Sequence, residues 1–163
     1  MATRLGPIPL PIPDIFGLFA AALVAFGSTR PWARVWGVGF STDDIEVTYV
    51  NGLDGGSADG QAALVMGVIA CIMILWRLIR PRSSGIVLGA AILVLAVAGL
   101  VGMLNWFDSG STATFGAWRI PGDQCAEYFQ CGYQAGWGLI VVTFAGFAGA
   151  GALTYQLWYD QLR

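Results

Sequence analysis

From Gly85 to Phe107 the chain reads GIVLGAAILVLAVAGLVGMLNWF, without one charged side chain. A helix needs about 20 apolar residues to cross a hydrocarbon core about 30 Å thick, so this run is long enough to span one. Three further runs share its character: Ile15–Ser28, which is short, Gln61–Leu78 and Gln134–Trp158. Outside them there is little left to clothe a water-soluble globule, because 56% of the 163 residues are hydrophobic and only 11% are charged. The reading is an all-α transmembrane protein, a single membrane domain over residues 1–163 with spans at about 15–28, 61–78, 85–107 and 134–158.

Before the first run lies GPIPLPIPD, where Pro7, Pro9, Pro11 and Pro13 remove backbone donors and exclude regular helix. Ile8, Leu10 and Ile12 are expected to form an extended strip at the membrane surface. Arg4 followed by a short apolar stretch also fits a signal peptide. The expectation adopted is a retained span.

Charge orients the spans. The eight basic residues are all arginine, and in a four-span layout Arg4, Arg77, Arg80, Arg82 and Arg163 share one side against Arg30, Arg34 and Arg119 on the other. The more basic side is expected to be cytoplasmic, which places both termini there. Arg77, Arg80 and Arg82 flank Pro81 in a tight turn, where each is worth about 1 kcal/mol against anionic headgroups and would anchor the hairpin. Trp32, Trp106 and Trp137 fall at the outer ends of spans and Trp76 and Trp158 at the inner ends, the pattern of interface anchors. Arginine in place of lysine, with abundant Ala, Gly and Val, is also what a GC-rich bacterial genome encodes.

The outer loops, at about 30–60 and 108–133, hold eight acidic and three basic residues, net −5. In the first, Val35–Phe40 and Ile45–Val50 are rich in β-branched and aromatic residues and flank Ser41-Thr42-Asp43-Asp44, so a small extracytoplasmic β-hairpin cap is expected, ending at Asn51-Gly52. The segment DGGSADG at 54–60 lacks the alternating acids and distal Glu of a calcium loop and reads as a turn with Asp59 as a helix N-cap.

Chemistry is scarce. No Asp, Glu, Lys, Arg or His lies well inside a predicted span, and the chain has no histidine. This argues against a proton relay, ion-coupled transport, embedded acid–base catalysis, bis-His haem and imidazole-bound metal. The expectation is no enzyme, no cofactor and no metal; a net charge of −2 gives no footing for nucleic acid. Cys71 reads as a small core residue, and Thr143 and Gln134 as hydrogen-bonding groups between helices. Small residues recur at four-residue spacing, in Gly85 and Gly89, Ala98 and Gly102, Gly132 and Gly136, Ala145 and Gly149, which sets close helix-packing faces.

Cys125 and Cys131 fall in the second outer loop, where disulfides persist. On one helix they would be about 9 Å apart along the axis, beyond the Cα spacing of about 4.4–6.8 Å that a disulfide accepts. A structural disulfide between Cys125 and Cys131 is the expectation; it needs Ala126–Gln130 to leave regular helix and would present Tyr128 and Phe129 at its tip. Closing so short a loop contributes roughly 2.4 kcal/mol.

A short first span, an outer turn reading GLDGGSADGQAALVMGVIA, an Arg-rich inner turn and a Gly-rich last span reading GWGLIVVTFAGFAGAGA together resemble small four-span membrane proteins of actinobacteria. That resemblance implies a plasma-membrane envelope protein and implies no reaction. The layout is also similar to that of claudin-type proteins, with four spans and an outer sheet, although the first-loop cysteine pair of that family is missing here. The function expected is a non-catalytic accessory or scaffold subunit of a larger bacterial plasma-membrane assembly, such as a respiratory or envelope-transport complex. Its partners would be lipids and other integral membrane subunits, or further copies of itself. The alternative is a self-associating small channel or transporter; a thiol oxidoreductase built on Cys125 and Cys131 comes third.

Overall fold

The computed structural model describes residues 12–39, 45–53, 58–80, 85–107 and 128–161. Among them the order is α1 (Ile12–Ser28), β1 (Pro31–Gly39), β2 (Ile45–Asn51), α2 (Ala58–Ile79), α3 (Gly85–Phe107), β3 (Tyr128–Ala135) and α4 (Trp137–Gln161). Helices α2, α3 and α4 are long and apolar enough to cross a membrane; α1 is apolar but shorter.

The helices close into a ring in chain order, each packed on its sequence neighbours and α4 returning to α1. The start of α1 meets the ends of α2 and α4 through Asp14, Arg77 and Asp160, and the start of α2 meets the end of α3 through Asp59 and Asn105. The direction therefore alternates up, down, up, down. Helix α1 begins three residues earlier than the apolar run does. Pro13 occupies its first turn, where the missing N–H would have no intrahelical partner in any case, and Asp14 follows it near the positive end of the helix dipole.

At one end of the ring sits a three-stranded antiparallel sheet in the order β2-β1-β3. Its β1–β2 pair is the hairpin expected from the sequence, with Ala33 across from Val50 and Trp36 across from Val47. The connection at 40–44 lies outside the described residues. The third strand is a correction. The sequence places 128–133 in the second outer loop and starts the last span at Gln134, whereas residues 128–135 pair with β1 from Tyr128 through Ala135. Gln134 and Ala135 thus belong to the sheet, α4 starts at Trp137, and Gly132 and Gly136 lie on no common helix face. Tyr128 and Phe129 sit in a paired strand and not at a loop tip.

Sheet and helices share one core. Trp32, Ala33 and Val50 are buried in the same cluster as Ala21, Val24, Leu139 and Val142. Backbone bonds from Gly136 N to Trp32 O and from Gly52 N to Arg30 O tie the strand ends to each other above the helices. Inside the ring small side chains dominate, among them Ala20, Ala21, Ala63, Ala70, Ala91 and Ala98, while Phe16, Phe19, Ile72, Leu93 and Phe144 stand on its outer surface.

Candidate functional site

Three features give this fold its specific chemistry: an ion-pair lock at the end away from the sheet, a buried amide–carboxylate pair near the sheet, and an apolar groove between α1 and α4. The first two bind the helices to each other. The third faces outward.

In the lock, Arg77 Nε lies 3.2 Å from Asp14 Oδ2 and its Nη2 lies 2.6 Å from Asp160 Oδ2. One guanidinium thus joins α1, α2 and α4. Its planar fork can donate in two directions at once, which a lysine could not do with the same geometry. Gln156 Nε2 donates to Asp160 Oδ1 at 2.9 Å and holds the outer acid in place. Arg77 also sits in the last turn of α2, where a cation is favoured by the helix dipole. This corrects the expectation for Arg77: it is spent inside the bundle and is not free for headgroups. The acids, Asp14 and Asp160, were not singled out from sequence, although the alternating topology places both at the Arg77 end.

Near the sheet, Asn105 Nδ2 donates to Asp59 Oδ2 at 3.0 Å and to the Val101 carbonyl at 2.9 Å, and both residues are fully buried. Both amide hydrogens are thereby used, which fixes the orientation of the side chain. Asp59 was expected as an N-cap on its own helix; instead it lies within the first turn of α2 and reaches across to α3. Asn105→Ala should cost about 1.5–3 kcal/mol, as expected for a lost hydrogen bond to a charged acceptor, measured by unfolding in mixed micelles. An unchanged unfolding midpoint would contradict the pairing.

Close backbone approach holds the remaining seams. A methyl on Gly146 would meet Gly99 N at 2.5 Å and Gly99 Cα at 2.6 Å, and one on Gly102 would meet Thr143 Oγ1 at 2.6 Å. Gly149 faces Ala20 Cβ at 2.8 Å, Gly27 faces Gly138 O at 2.9 Å, and Gly67 faces Ala25 N at 2.7 Å. Of the packing residues read from sequence, Ala98, Gly102, Ala145 and Gly149 lie in these seams or beside them. Gly85 and Gly89 do not, since a methyl on Gly85 would make only ordinary contact with Leu157 at 3.5 Å and one on Gly89 would meet nothing within 4 Å. The tightest crossing, Gly99 with Gly146, falls outside every pair picked by spacing, because four-residue repeats mark candidate faces without saying which face meets which. Thr143 corrects a further expectation. Its hydroxyl donates to Leu139 O in its own helix at 2.9 Å.

The aromatic anchors divide. Trp76, Trp137 and Trp158 are exposed and Trp106 is half-buried, its ring edge-on to Phe144. Trp32 is the exception: it is completely buried, and its Nε1 donates to Gly27 O at 3.2 Å, so it is a core residue joining sheet to helix. Arg80 lies over the Trp76 ring at 4.5 Å, while Arg82 lies outside the described residues. Cys71 is partly buried against the core, with Sγ 4.0 Å from Leu18 O. Cys131 occupies β3 across from Gly37, and Cys125 lies outside the described residues.

The groove runs down the outer seam of α1 and α4, between Phe16, Phe19 and Leu23 on one side and Val141, Phe144 and Ala148 on the other, enclosing about 280 Å³. One helical turn nearer the sheet than Leu23 and Val141 stand Phe26 and Trp137, whose rings are 5.9 Å apart. Arg30 lies over both, 4.3 Å from the Phe26 centroid and 6.0 Å from that of Trp137. Among the described residues no three His, Cys, Asp or Glu side chains come together to hold a metal. No protein-family model and no curated protein matches the chain.

Proposed function

We propose that this chain is a non-catalytic scaffold subunit of a bacterial plasma-membrane assembly, crossing the membrane four times with both termini in the cytoplasm and the sheet outside. The observation that carries the reading is the joint between sheet and helices. Helix α1 passes into β1 through Thr29 and Arg30, β3 passes into α4 through Gly136, and Trp32, Ala33 and Val50 share the helix core. A platform joined to its spans in this way holds its outer surface at a set angle to the membrane, which suits it to present that surface to a partner.

The placement in the membrane is supported by the size gradient across the bundle. Alanines and glycines line the helix seams beside Leu88, Leu95, Leu139 and Leu153, and large apolar side chains such as Ile72, Ile79, Leu93 and Phe144 point outward. Close packing of small residues is how helices associate where lipid, and not water, surrounds them.

Extraction in mild detergent should bring down other integral membrane subunits in fixed stoichiometry, read by native mass spectrometry. A protein that remains monomeric and partner-free would overturn the scaffold reading. A homo-oligomer with liposome flux above empty controls would replace it with a channel.

A further inference from the structure

We infer that the α1/α4 groove holds an acyl chain of an anionic phospholipid whose phosphate is bound by Arg30. This rests on the membrane placement proposed above and is independent of any partner subunit.

The groove, lined from Phe16 to Leu23, and the pair Phe26 and Trp137 one turn beyond it together reach about as far as one leaflet. Phe16, Phe19, Leu23 and Phe26 recur along one face of α1, and Trp137, Val141, Phe144 and Ala148 along the facing side of α4. At 1.5 Å rise per residue, Phe16 to Phe26 covers about 15 Å. That is about half of a 30 Å hydrocarbon core. Beyond its sheet end stands a cation, which suits the headgroup of a lipid better than the apolar flank of a partner helix.

The cation is placed for a headgroup. Arg30 follows α1 directly and is exposed, and among the described residues it pairs with no carboxylate. Its guanidinium lies over the Phe26 and Trp137 rings, and a guanidinium held there has five N–H donors that can grip a phosphate in bidentate fashion. Gly138, in the first turn of α4, packs so closely on Arg30 that a methyl there would lie 2.8 Å from Arg30 Cβ. The start of α4 therefore lies beside the backbone of Arg30, and its positive dipole end favours an anion in that neighbourhood.

The test uses the full chain in nanodiscs containing equal phosphatidylglycerol and phosphatidylcholine with identical acyl chains, and native mass spectrometry reads the lipids retained after release. The expected result is about fivefold preferential retention of phosphatidylglycerol. Arg30→Gln should bring the ratio close to one. Ala148→Phe, a change at an exposed position, should fill the groove and lower retention of both lipids, with circular dichroism matching the parent protein. Inorganic phosphate at millimolar concentration should not displace the lipid.

Equal retention of the two lipids by the parent chain, or an Arg30→Gln ratio like the parent's, overturns the inference. So does full displacement by phosphate, which would leave an anion site without a chain site. Cross-linking from position 148 to another helix or to a second copy overturns it in favour of a protein occupant. If the chain instead fails to enter vesicles at all, the membrane placement itself falls.

Discussion

Replacing Arg77 with leucine is expected to lower stability by about 3–5 kcal/mol, the cost of leaving a buried charge without its partner. The asymmetry of the lock sets this value. The Asp14 side chain is 5% exposed and that of Arg77 12%, so Asp14 would be stranded away from water at a helix start. The Asp160 side chain is 40% exposed, and Asp160→Asn should cost no more than about 1 kcal/mol. A double variant, Asp14→Asn with Arg77→Leu, should recover much of the loss, because it removes the stranded charge and not only its partner. Unfolding in mixed micelles gives all three values. If Arg77→Leu unfolds with the parent protein, the lock contributes nothing and the helix ends are held by packing alone.

Gly146→Ala is the second large effect, at about 1–3 kcal/mol or more, because the added methyl would press on Gly99 N, Gly99 Cα and Leu95 O, all of them backbone. A flexible side chain could turn aside, but a helix backbone has to move as a unit. Gly99→Ala should cost less, since its contacts with Phe147 begin at 3.0 Å and include a ring that can shift. Gly151→Ala, five residues beyond Gly146 in the same helix, would meet nothing within 4 Å. It should be neutral, or stabilising by about 0.5–1 kcal/mol through helix propensity. The ordering of the three separates helix propensity from helix crossing, and a Gly146→Ala protein as stable as Gly151→Ala would mean that α3 and α4 do not meet there.

Much of this architecture is legible in the sequence. The third apolar run and α3 share the same bounds, Gly85 to Phe107, because an uninterrupted apolar segment bounded by polar residues has few other ways to satisfy its backbone. The hairpin is legible for a different reason, as β-branched residues on either side of a polar turn specify local pairing. Strand β3 was hidden, since YFQCGYQA borders the apolar run and its two-residue alternation of aromatic and polar side chains was available but competed with a helix start. Its partner, β1, lies nearly a hundred residues earlier, too far for any local pattern to announce it.

The candidate site divides in the same way. Sequence alone determined four apolar segments, their alternation, the charged residues at their ends and the small residues that let helices approach, because hydrophobic length and periodicity are properties of single segments. Only the tertiary structure decided that Arg77 is consumed by Asp14 and Asp160, that Asn105 meets Asp59, that Trp32 is core while Trp137 is surface, and that Arg30 stands over Phe26 and Trp137. Each of those outcomes depends on the rotation of one helix or strand about its axis relative to its neighbours. That rotation is set by the summed packing of all four helices, which no single stretch of the chain contains.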